Sequence, residues 1–128
     1  MRITTLLITL LFAPLASFAT GTLNISAEPQ AQPDQFYNYN FGNIFKNQRT
    51  YADFTLTAGG DAPTEIQGIR ISGFEFTAQS NCPKILMPTE FCTTRVYFWP
   101  NRAGQFWGEL SFHLKENNIY IRLFGAAH

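Results

Sequence analysis

Few residues of this chain are equipped for catalysis or metal binding, and their spacing organises none of them. His113 and His128 are the only histidines, and His128 is the last residue. Alternation along its strand turns His113 outward beside Arg122, as a cross-strand polar pair. The acids Asp53, Asp61, Glu65, Glu75, Glu90 and Glu109 are scattered. No Gly-x-Ser-x-Gly elbow presents a nucleophile, and no glycine-rich loop leads from a strand into a helix to cradle phosphate. Cys82 and Cys92 do not stand at zinc-site spacings with the histidines. The expectation is a non-enzymatic protein with no catalytic residue, no metal site and no cofactor.

A second kind of chemistry is better represented. Aromatic residues make up 16% of the 128 residues and charged residues 14%, with zero formal net charge. A nucleic-acid binder needs an excess of Lys and Arg against phosphate, so nucleic acid is excluded as a general partner. Aromatics and arginine bury much area at low entropic cost and are enriched at binding hot spots. Alternation leaves Tyr97 and Trp99 facing outward on one strand, Trp107 on the next, and Tyr120, Arg122 and Phe124 on the last. These six are the candidate binding surface. Trp107, Phe124 and Arg122 form one patch; Tyr97 and Trp99 form a second with Tyr51. The alternative is that loops or residues 20–35 cover them.

The elements that position these side chains are strands. Residues 1–19, MRITTLLITLLFAPLASFA, carry Arg2, an apolar run from Leu6 to Ala13, and small residues at Ser17 and Ala19. This is the pattern of a cleaved secretory signal peptide. The run is shorter than the ~20 residues that cross a bilayer, so no membrane insertion is expected after cleavage. Residues 20–35 read as an N-terminal segment with two prolines, in which Leu23 and Ile25 alternate as a possible edge strand. Asn24-Ile25-Ser26 is a glycosylation sequon. The expected location is secreted or periplasmic. In that compartment Cys82 and Cys92 pair as a disulfide, across a stretch marked as loop by Pro83 and Pro88.

From Phe36 onward the chain alternates with period two. Tyr37, Tyr39 and Phe41 share a face, as do Ala52, Phe54 and Leu56. Ile66, Ile69 and Ile71 follow, then Phe74 and Phe76. Cys92, Thr94, Val96 and Phe98 form the next set, followed by Phe106, Leu110, Phe112 and Leu114. Ile119, Ile121 and Leu123 come last. Asn117-Asn118 is expected to form a two-residue turn at positive φ, pairing Leu114 with Ile121, Phe112 with Leu123, His113 with Arg122 and Lys115 with Tyr120. About seven short strands predict an all-β sandwich over residues 36–126.

The order of these pieces resembles a known family. Asn81-Cys82 is followed after a loop by Cys92-x-Thr94-x-Val96-x-Phe98-x-Pro100. Then come Ala103-Gly104, Gly108-x-Leu110-x-Phe112 and Ile121-x-Leu123-x-Gly125. Together with Phe41-Gly42 and Ile69-x-Ile71-x-Gly73, they resemble the Hydin and abnormal-spindle type of immunoglobulin-like repeat, also called a choice-of-anchor D domain. The resemblance implies an immunoglobulin-like sandwich related to major sperm protein and pilus-chaperone folds. It also implies a non-catalytic role in adhesion, envelope assembly or protein–protein interaction. The partner would be a protein or a surface polysaccharide, or a second copy through self-association. The chain departs from the pattern in having room for one repeat and in its large outward aromatics. Alternatives are a carbohydrate-binding module with an aromatic stacking platform, or a small secreted enzyme or enzyme inhibitor.

Overall fold

The computed structural model describes residues 21–27 and 33–128. The signal peptide expected at 1–19 lies outside them. Nine strands follow in order: β1 (Gly21–Ala27), β2 (Gln35–Ile44), β3 (Thr50–Ala58), β4 (Thr64–Ser72), β5 (Phe76–Ser80), β6 (Ile85–Leu86), β7 (Phe91–Phe98), β8 (Gly104–Leu114) and β9 (Asn118–Ala127). They form two sheets, ordered β1-β3-β7-β5 and β2-β9-β8-β4-β6. The seven strands read from alternation are all present, joined by β1 and the two-residue β6. β1 runs parallel to β3, and β2 runs parallel to β9. The other pairings are antiparallel.

Each strand faces the core with its alternate apolar residues, because successive side chains point to opposite faces. Phe54, Leu56, Val96 and Phe98 from one sheet meet Leu110, Phe112, Ile119, Ile121 and Leu123 from the other, all fully buried. Ile66 and Ile69 differ in parity yet both serve the core. A register shift between Ile66 and Gly68 inserts Gln67 as an extra residue, and that bulge restores the inward phase. Phe98 stacks on Phe76 with centroids 5.1 Å apart. Tyr39 packs edge-on against Phe54, 5.4 Å away, and so ties β2 to the opposite sheet. Burial pushes its phenol pKa above the ordinary value.

The Cys82–Cys92 disulfide is formed, spanning a sequence separation of 10. It closes the loop that carries β6.

Two expectations are corrected. Phe74 is fully exposed rather than inward. Gly73 takes φ 101° and its carbonyl accepts the Phe76 N–H at 3.1 Å, so the chain is still turning at Phe74 and β5 begins only at Phe76. The last hairpin is also displaced. Leu110 pairs with Ile121, Phe112 with Ile119, and His113 with Asn118. The turn falls at Lys115-Glu116, closed by the Leu114 N–H donating to the Asn117 carbonyl at 2.9 Å. Asn117 and Asn118 instead hold the approach to β2. Asn117 Nδ2 donates to the Pro33 carbonyl at 3.2 Å, and the Asn118 N–H donates to Asp34 Oδ1 at 2.8 Å. Neither takes positive φ. The shift is even, so every face assignment survives it.

Candidate functional site

The corrected register builds the outer face of the larger sheet. Across β8 and β9, Trp107 stands opposite Phe124, Glu109 opposite Arg122, and Ser111 opposite Tyr120. β2 adds Asn40 beside Phe124, Asn38 beside Arg122, and Phe36 beside Tyr120. Trp107 is 61% exposed; Arg122 is exposed and Phe124 half-buried. A shallow hollow beside Trp107 is lined by Ser72, Glu109, Arg122 and Phe124. Among the described residues Trp107 has no ring or cation partner, and Arg122 has no ion pair. Phe36 stacks on Tyr120 with centroids 5.3 Å apart and planes 18° from parallel. Sequence reading missed Phe36, although the inward set Tyr37, Tyr39 and Phe41 places it outward.

Tyr97 and Trp99 lie on the outer face of the other sheet, so the six candidates divide between two surfaces. Tyr97 contacts Tyr51 at 5.7 Å. Arg49 lies 4.9 Å from the Tyr97 ring and 5.4 Å from the Trp99 ring. Arg95 lies 3.8 Å from the Tyr51 ring and forks onto Asp53, with Nε and Nη2 donating at 2.8 and 3.0 Å. Its bonds to Asp53, then to Tyr97, hold the guanidinium proton more tightly than usual. Trp99 remains 57% exposed, and its Nε1 donates to the Asn47 carbonyl at 3.4 Å. This face spends its cations on its own rings and carboxylate, whereas among the described residues Trp107, Phe124 and Arg122 make no ring, cation–π or ion pair.

His113 faces outward as expected, but its cross-strand neighbour is Asn118 and not Arg122. Its Nε2 lies 3.2 Å from Ser111 Oγ and its ring 6.3 Å from Tyr120; Arg122 stands opposite Glu109 without an ion pair. His128 is held by a 2.7 Å bond between Nδ1 and Asn43 Oδ1 and by the Phe45 ring 4.5 Å away. Among the described residues no carboxylate or amide side chain bonds the His113 ring in this Ser–His contact, the place a third group takes in a catalytic triad. Asn24 of the sequon is exposed on β1. No helix among the described residues is long and apolar enough to cross a membrane.

The comparisons agree with this architecture. The sequence profile of the HYDIN/CFA65/VesB-like Ig-like domain matches residues 34–126, and no curated protein sequence matches significantly. The Vibrio cholerae protease VesB is similar in structure, with TM-score 0.57 and 18% identity over 71% of this chain and 30% of the protease. The secreted serine protease VesC of the same organism gives TM-score 0.55 and 14% identity, over 69% of this chain and 21% of its own. The PapD-like domain 7 of human CEP192 gives TM-score 0.55 and 10% identity, over 73% of this chain and 82% of that domain. The chain thus spans less than a third of either protease. The profile carries the Hydin part of the resemblance and not the choice-of-anchor D name. The chain belongs to the HYDIN/CFA65/VesB-like family of immunoglobulin-like domains.

Proposed function

We propose that this protein is a secreted or periplasmic, non-catalytic binding module that recognises a protein through the Trp107 face. The observation that carries the reading is Trp107, 61% exposed on a sheet face, opposite Phe124 and one row from Arg122. Aromatic and guanidinium groups free of internal partners are suited to an interface core. The disulfide suits an oxidising compartment, and the likeness to a secreted protease of Vibrio cholerae is compatible with export. A role in adhesion or envelope assembly follows if the partner is a surface protein.

The test is capture from envelope and host-surface extracts, with Trp107→Ala and Trp99→Ala beside the parent protein. A protein captured by the parent and Trp99→Ala but lost by Trp107→Ala supports the reading. Equal capture by all three sinks it.

A further inference from the structure

The sandwich has two lateral flanks, and they differ in how their free strand edges are guarded. A free edge presents unpaired backbone N–H and C=O groups, and proteins discourage pairing there with charges, proline, bulges or short strands. On one flank, β6 covers only Thr64 and Glu65 of β4. The rest of that edge carries Arg70 and the bulge at Gln67, and the neighbouring β5 has five residues. On the other flank, β2 ends the larger sheet with ten residues, QFYNYNFGNI, and holds no charge and no proline. β1 lies alongside it and is equally uncharged; the Gln35 amide donates to the Ser26 carbonyl at 3.5 Å. Asp34, just before β2, accepts the Asn118 N–H at 2.8 Å and so is drawn toward β9, away from the free edge.

The regular part of β2 runs from Gln35 to Asn40, ahead of the register shift that precedes Asn43. Among the described residues no strand pairs with it on the side away from β9. Its outward side chains Phe36, Asn38 and Asn40 are exposed. Phe36 is 74% exposed although Tyr120 stacks on it, so the stack leaves most of its surface uncovered.

We propose that β2 pairs with β2 of a second copy, antiparallel about a two-fold axis at Asn38, joining two five-stranded sheets into one. Directly opposite residues of an antiparallel pair share a face. Asn38 therefore meets the partner's Asn38, and Phe36 meets the partner's Asn40. The absence of charge selects this occupant. A two-fold axis brings each side chain of the edge close to its own copy, so a charge there would face a like charge. A different protein sets no such restriction, and opposite charges would favour it. Amide side chains carry both donors and an acceptor and so complement themselves. The formal net charge of zero adds little repulsion between copies. An isologous contact of this kind closes at two chains. It leaves Trp107 out and stands apart from the function proposed for that face.

The test is sedimentation equilibrium of the disulfide-bonded protein over a wide range of concentration. Asn38→Lys, Asn38→Glu, Gln67→Lys and Trp107→Ala are run beside the parent protein. The parent should pass from monomer to dimer as concentration rises. Asn38→Lys and Asn38→Glu each set like charges across the axis and should weaken the dimer by about tenfold or more. An equal mixture of those two variants should recover it as a heterodimer. Gln67→Lys, at the edge on the other flank, and Trp107→Ala should dimerise like the parent. The proposal is overturned if the parent stays monomeric or assembles past two chains. It is also overturned if either Asn38 variant alone dimerises like the parent, if their mixture stays monomeric, or if either control weakens the dimer as much.

Discussion

Phe98 of β7 lies over Gly125 of β9 so closely that a methyl group on the glycine would come within 2.5 Å of the ring. The two sheets approach through this contact, and both partners are buried. Gly125→Ala must therefore displace Phe98, which is already packed against Phe41, Phe76 and Phe106. The expected cost is about 1–3 kcal/mol of stability, the usual range for overpacking a filled core. Gly68→Ala is the control, since a methyl group there meets nothing within 4 Å. Urea denaturation of the two variants should show a lowered midpoint for the first only.

Reduction of Cys82–Cys92 should destabilise the protein measurably without unfolding its core. The closed loop has a sequence separation of 10, for which loop-closure entropy gives about 2–3 kcal/mol. Alkylation before reduction should add no mass, and alkylation after it should label both thiols. The reduced protein should keep its strand signal by circular dichroism while its thermal midpoint falls.

Tyr39 should make the protein sensitive to alkali. Burial raises its phenol pKa above the ordinary value for tyrosine, so the folded state favours the neutral form more than the unfolded chain does. Its contribution is complete below the unfolded value and is lost as pH rises from about 10 through the folded value. Tyr39→Phe should abolish that part of the alkaline decline. Stability measured between pH 8 and 11.5 for both proteins checks this, and parallel curves would count against it.

Trp107→Ala and Trp99→Ala should both fold, with stability changed by about 0.5 kcal/mol or less, as is usual for surface positions. Each side chain is more than half exposed, at 61% and 57%. Thermal melts of the two variants provide the measurement. Collapse of either one would mean that its indole belongs to the core.

The face assignments were legible because period two is enforced by burial on one side of each strand. A slip by one residue would expose the whole set Leu110, Phe112, Ile121 and Leu123. The register of the last hairpin was not legible. A shift by an even number of residues preserves every face, and the decisive bonds run from Asn117 and Asn118 to Pro33 and Asp34, which are distant in sequence. Phe74 was misplaced because alternation was carried through a turn that Gly73 had already begun. Of the candidate surface, alternation found Trp107, Phe124 and Arg122 and separated them from Tyr97 and Trp99. It could not reveal the guanidinium ladder from Arg49 to Arg95, which depends on side-chain reach.

The parallel pairing of β2 with β9 has a consequence for how the chain acquires its structure. Gln35 aligns with Ile119 and Ile44 with Ala127, so an early strand is completed by the last one. Until β9 is available, β2 has no hydrogen-bonding partner, and Phe36 has no Tyr120 to stack on. Contacts between such distant segments form slowly because the long loop must close before it is rewarded. A growing or partly threaded chain therefore carries an open strand edge flanked by aromatics, the kind of surface that sticks to other chains. Folding of this domain is expected to begin in earnest only when its final strand arrives.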